Sequence, residues 1–111
     1  MSFEPKGIKP VKYSQSTGEA IYTIEDALSI AAQISNAPYE VIWGGDILDS
    51  DFEYTYDSWH YDGGMNKSAV QLNQESSICT RNYLQNYMRR NGTHFHVILV
   101  ISSCMNVVIR I

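Results

Sequence analysis

His94 and His96 stand two residues apart beside an apolar run, a spacing that puts both rings on one face if the segment is a strand. Two imidazoles on one face occur in metal sites, and Asp57 or His60 would offer a third ligand. No His/Cys/Glu motif of fixed spacing backs such a site, so the expectation is a strand face with two histidines and no metal. Cys79 has no histidine near it in sequence, which fits a small buried hydrophobe better than a nucleophile. Gly44-Gly45-Asp46 lacks the later glycine and the lysine of a phosphate loop, and its carboxylate would repel phosphate, so it reads as a turn. The pairs Asp49/Asp51 and Asp57/Asp62 have the chemistry of an acid and a base for glycoside cleavage, but 111 residues leave little room for a sugar cleft. The sequence therefore predicts no catalytic residue and no cofactor. A small metal-dependent hydrolase using His94, His96 and Asp57 is the enzymatic alternative, and an acidic adaptor module is the other.

Charge and aromatic residues carry more information. The formal net charge is −4, but residues 13–66 hold ten carboxylates and no Lys or Arg, while residues 1–12 contribute +2 and residues 67–111 contribute +4. Mixed signs are the norm on soluble surfaces, so a one-sign stretch of this length suits a basic partner. It argues against nucleic acid as that partner, because phosphates would be repelled. Tyr and Trp are enriched at interfaces, and Trp59 sits in a polar neighbourhood, whereas Trp43 reads as core. The candidate partner-binding residues are Asp46, Asp49, Asp51, Glu53, Asp57, Trp59, His60, Tyr61 and Asp62.

The elements that must position them can be read from patterning. The length fits one domain, and 44% hydrophobic content supports a folded chain. The longest uninterrupted apolar run, Val97 to Ile101, is strand-length, so no membrane span is expected. No secretory signal is evident, and Cys79 and Cys104 are too few for a disulfide scaffold, so they are expected free in a cytoplasmic protein. Residues 1–20 read as an irregular N-terminal arm with a short strand near Val11–Tyr13, and residues 21–111 as a single α+β domain. Its expected architecture is a mainly antiparallel sheet of about four to five strands packed with two helices. Thr23 with Asp26 caps a first helix whose stripe is Ile24, Ala27, Leu28, Ala31 and Ile34, with Pro38 beyond its end. Tyr39 to Trp43 reads as a strand broken by Gly44-Gly45. Ile47 to Tyr56 reads as the next strand, with Phe52, Tyr54 and Tyr56 on one side and Asp49, Asp51, Glu53 and Asp57 on the other. Ser58 to Asn66 reads as an aromatic loop. Ser68 with Gln71 is a capping box for an unbroken helix to about Arg90, closed by Asn91-Gly92, though its apolar stripe is patchy. Residues 94–101 form the strongest strand, with Val107 to Ile111 able to return as a hairpin. The predicted core includes Ile30, Ile34, Val41, Val97, Leu99 and Ile101.

The order of these features resembles the immunity protein 40 family of bacterial polymorphic toxin systems. The matching pieces are the short helix ending near Asn36, the segment Trp43-Gly44-Gly45-Asp46-Ile47, the run Tyr54-Thr55-Tyr56-Asp57-Ser58-Trp59-His60-Tyr61-Asp62, and a long helix bearing Arg81-Asn82-Tyr83-Leu84 and Tyr87. The resemblance implies a small cytosolic protein, made beside a toxin, that binds and neutralises it. The expected partner is a basic toxin C-terminal domain, of nuclease type, since an acidic inhibitor competes with nucleic acid for such a surface.

Overall fold

Thr23 closes one element and opens the next: its Oγ1 accepts the Asp26 N–H at 3.1 Å, and Glu25 and Asp26 occupy the first turn, where the helix dipole favours acids. The computed structural model describes residues 3–104. Within them the order is β1 (Lys12–Tyr13), β2 (Ala20–Thr23), α1 (Ile24–Ile34), β3 (Glu40–Leu48), β4 (Tyr54–His60), α2 (Ala69–Asn91) and β5 (His96–Ser103). The strands form one antiparallel sheet in the order β1-β2-β5-β3-β4. This is an α+β fold, as the patterning predicts.

Both helices cover one face of the sheet. From α1, Ile24, Ala27, Ile30, Ala31 and Ile34 are buried at helical spacing. They meet Ile42, Ile47, Trp59 and Val97 from the strands and Leu84 and Tyr87 from α2. Leu99 and Ile101, expected in the core, are only half-buried beside this cluster. On the opposite face Ile21, Leu48 and Ile98 form a smaller cluster under Phe52. The N-terminal arm is tied down: the Lys6 N–H donates to Gln33 Oε1 at 2.8 Å, Gln33 Nε2 donates back to the Lys6 carbonyl at 2.9 Å, and β1 pairs with β2. The proposed hairpin strand Val107 to Ile111 lies outside the described residues.

Helix α2 is continuous, with the expected capping box and with Gly92, at φ 92°, closing its end. Its buried stripe is not the apolar one the sequence suggests. The side facing the protein is Asn73, Ser76, Ser77 and Thr80, all fully buried, followed by Leu84 and Tyr87. Each polar member has a partner. Asn73 Nδ2 lies 2.7–2.8 Å from the carbonyls of Ile34, Ala37 and Glu40, which share its two hydrogens. Ser77 Oγ donates to the Ala31 carbonyl at 2.7 Å, and Ser76 Oγ accepts the Ile42 N–H at 3.0 Å. Thr80 Oγ1 accepts Trp59 Nε1–H at 3.1 Å. Together these bonds tie α2 to the end of α1, to the connection and to β3 and β4.

The central hairpin also departs from the sequence reading. Gly44-Gly45 does not break β3, which runs through it to Leu48. A Cβ at Gly45 would collide with the Ile98 carbonyl and the Trp59 ring, and one at Gly44, where φ is 143°, would collide with the Trp59 carbonyl. The glycines therefore serve close packing of neighbouring strands rather than a turn. The turn is at 49–53 instead. Asp49 Oδ1 accepts the N–H groups of Asp51 at 2.8 Å and Glu53 at 3.0 Å, and Phe52 takes φ 66°. Asp and Ser favour such turns through their side-chain bonds to the backbone, which outweighs the alternation that suggested a strand. Residues 49–57 therefore do not form one strand with Asp49, Asp51, Glu53 and Asp57 in a row. Trp59, expected in a loop, lies in β4.

Removing the Asn73 amide takes a buried donor from three carbonyls, of which those of Ile34 and Ala37 keep a backbone N–H. Asn73→Ala should cost about 2 kcal/mol in urea unfolding, and Asn73→Asp, which sets a carboxylate against the same carbonyls, at least as much. A loss below about 1 kcal/mol in both would show that water replaces the amide at little cost.

Candidate functional site

The β3–β4 hairpin gathers six of the ten carboxylates between residues 13 and 66. Asp51, Glu53, Asp57 and Asp62 are exposed, and Asp46 and Asp49 are half-exposed. The other four are elsewhere: Glu19 in the arm, Glu25 and Asp26 at the start of α1, Glu40 at the start of β3. The fold also brings cations that the linear charge map keeps distant. Lys12 of β1 lies with Nζ 4.8 Å from the Phe52 ring centroid, a cation–π contact beside the 49–53 turn. Lys67 pairs with Glu75.

Each candidate has a definite place. Asp46 and His60 sit on the helix-free face of the sheet, where a shallow depression is lined by Trp43, Gly44, Asp46, Ser58, His60 and Val100. Asp49 is a structural member of its turn, and its carbonyl meets His96 Nδ1 at 3.0 Å. Asp51 and Glu53 project from the turn. Asp57 Oδ2 accepts the Tyr87 hydroxyl at 2.7 Å, which ties the end of the hairpin to α2. Trp59 and Tyr61 are buried. Trp59 packs on Gly45 and stacks on Tyr83 with centroids 5.0 Å apart, and the Tyr61 hydroxyl donates to Glu75 Oε1 at 2.9 Å. Both rings pack toward α2.

The proposed metal ligands do not come together. His96 stacks on Phe52 at 4.4 Å, His94 lies ahead of β5 against Phe95, and Asp57 is engaged by Tyr87. Among the described residues no group of three His, Cys, Asp or Glu side chains could hold a metal ion. Cys79 and Cys104 are both free, and burial pushes both thiols up, away from the reactive thiolate.

One surface residue escaped the sequence reading. The pairing of β3 with β4 shifts between Asp46 and Leu48, so β4 bulges around Tyr56. Tyr56 sits at φ 70° and is 92% exposed. A left-handed backbone costs a non-glycine residue about 1 kcal/mol or more, and glycine is the usual occupant of such a bulge. The alternation Tyr54, Tyr56 gave no sign of this, because a bulge is a tertiary feature of strand pairing.

A family model, immunity protein 40, matches residues 9–101. The chain belongs to the immunity protein 40 family. Neither the curated proteins nor the solved structures give a match. The family match begins ahead of β1 and ends inside β5, so it takes in part of the N-terminal arm as well as the acidic hairpin and both helices. No helix among the described residues is long and apolar enough to cross a membrane.

The Asp57–Tyr87 bond gives this region a signature in alkali. Burial first, then the hydrogen bond to Asp57, pushes the Tyr87 phenol up from 10.0 to about 12, and burial with the Glu75 bond does the same for Tyr61. A raised folded-state pKa contributes stability that is complete below pH ~10 and is lost as pH rises toward 12. Phenolate absorbance should therefore show two tyrosines ionising late, near pH 12, and Tyr87→Phe should remove one of them. Urea midpoints of the parent protein should fall between pH 10 and 12, and by less in the Tyr87→Phe variant. Titration of every tyrosine near pH 10 would mean that these hydroxyls are solvated.

Proposed function

We propose that the chain is an immunity protein that binds and neutralises a cognate toxin domain, and that this toxin is a basic, nuclease-type C-terminal domain. Membership of the immunity protein 40 family carries the reading. The hairpin supplies the physical complement: Asp46 beside His60, Asp51 and Glu53 at the turn, Asp57 against α2 and Asp62 just after β4 all reach solvent. A basic toxin surface would relieve the repulsion among these carboxylates and gain attraction at the same time. Electrostatic steering then speeds capture, which suits an inhibitor that must act in the cytoplasm before damage occurs. The surface would work by occupying the toxin, with no metal, cofactor or membrane.

Co-expression with the toxin domain encoded beside this chain should restore growth, and the two purified proteins should form a complex. Asp51 and Glu53 act through exposed side chains, while only their backbone groups hold the turn. The Asp51→Lys, Glu53→Lys double variant should thus fold normally, associate about tenfold more slowly and show a flatter salt dependence. Unaltered association kinetics would place the interface elsewhere.

A further inference from the structure

We infer that Tyr56 is the anchor of the toxin interface, entering an apolar slot rimmed by Lys or Arg on the toxin; this rests on the immunity reading above. Its presentation is built. Thr55 Oγ1 donates to the Ile47 carbonyl at 2.9 Å and accepts the Asp57 N–H at 3.1 Å, which pins the chain on both sides of Tyr56. The Asp57 carboxylate is then held by the Tyr87 hydroxyl of α2 at 2.7 Å. The bulge is a fixed platform, and its one large side chain stands 92% exposed.

The fold gains little from a tyrosine at this point. At φ 70° the backbone is strained for any residue with a Cβ, and a ring so exposed returns almost no burial. Glycine would hold the same bulge without strain, and asparagine with less. Residues kept in such strain cluster at functional sites, and tyrosine is among the residue types that dominate binding energy at interfaces. A side chain pre-positioned in this way loses little conformational freedom when it is captured, because the bulge has already fixed its backbone. The surroundings specify the slot: Glu53 and Asp57 are exposed close by in the chain, and Tyr54, 39% exposed, extends the aromatic surface. An apolar cavity with a basic rim matches both the ring and its carboxylate neighbours.

The test uses the full chain and the catalytically silenced toxin domain encoded beside it. Tyr56→Gly should leave the unfolding midpoint unchanged or raise it by up to about 5 °C, since strain is relieved. The same variant should weaken toxin binding by about 30-fold or more, mainly through faster dissociation. Tyr56→Phe keeps the ring and should bind within about tenfold of the parent. Equal toxin affinity for the parent protein and Tyr56→Gly would overturn the anchor while leaving the immunity reading intact. A Tyr56→Gly variant that melts several degrees lower would also overturn it, because the ring would then serve the fold. Failure of the parent protein itself to bind the toxin domain would remove the immunity reading and this inference with it.

Discussion

A buried side-chain amide holds the molecule's two halves in register. Asn73 of α2 reaches the carbonyls of Ile34, Ala37 and Glu40; the first two also accept the backbone N–H groups of Ala37 and Glu40, so the amide adds a second donor to a turn that the backbone has already closed. Those carbonyls mark the end of α1, the connection and the start of β3. The bond therefore fixes where the helix stops, where the sheet begins and how α2 lies across both. Ser76 and Ser77 extend the same seam by accepting the Ile42 N–H and donating to the Ala31 carbonyl. An apolar stripe in their place would fill space but could not satisfy these backbone groups.

From that seam the hairpin is set in turn. Thr80, one turn further along α2, accepts the indole N–H of Trp59, and the Trp59 ring rests where Gly45 has no side chain. Tyr87, two turns beyond Thr80, holds Asp57. One helix thus fixes β3 near its beginning and β4 at two points, and the acidic turn projects from a hairpin anchored along its length. The charge on the exposed side is carried by a rigid support, which keeps the carboxylates spaced despite their repulsion.

The parts of this arrangement governed by local rules were legible in the sequence. Thr23 and Ser68 announced their helices through capping, and the spacing of Ile24 to Ile34 announced a buried face. The parts governed by tertiary contact were not. The buried stripe of α2 is polar, so a search for apolar periodicity passes over Asn73, Ser76, Ser77 and Thr80. Asparagine within a helix was itself a clue, since its amide competes with helical bonding unless it has a partner elsewhere. The hairpin was misplaced because two glycines in succession usually mark a turn, whereas here they make room for Trp59. The candidate surface rests on a charge pattern whose geometry the sequence did not show: Asp49 builds a turn, Trp59 and Tyr61 are buried, and Tyr56 is the residue that stands out. The family resemblance at Tyr54 to Asp62 coincides with the stretch that holds the bulge, and the family model spans it.

The bulge also bears on how copies of this chain treat one another. Among the described residues β4 is an outer strand, and β1 at the other side has only two residues. An outer strand with a long straight ladder of free N–H and C=O groups invites pairing with its own kind. The kink at Tyr56, with carboxylates on both sides, interrupts that ladder and repels an identical strand. An edge built in this way keeps copies of the chain from adding to one another's sheets.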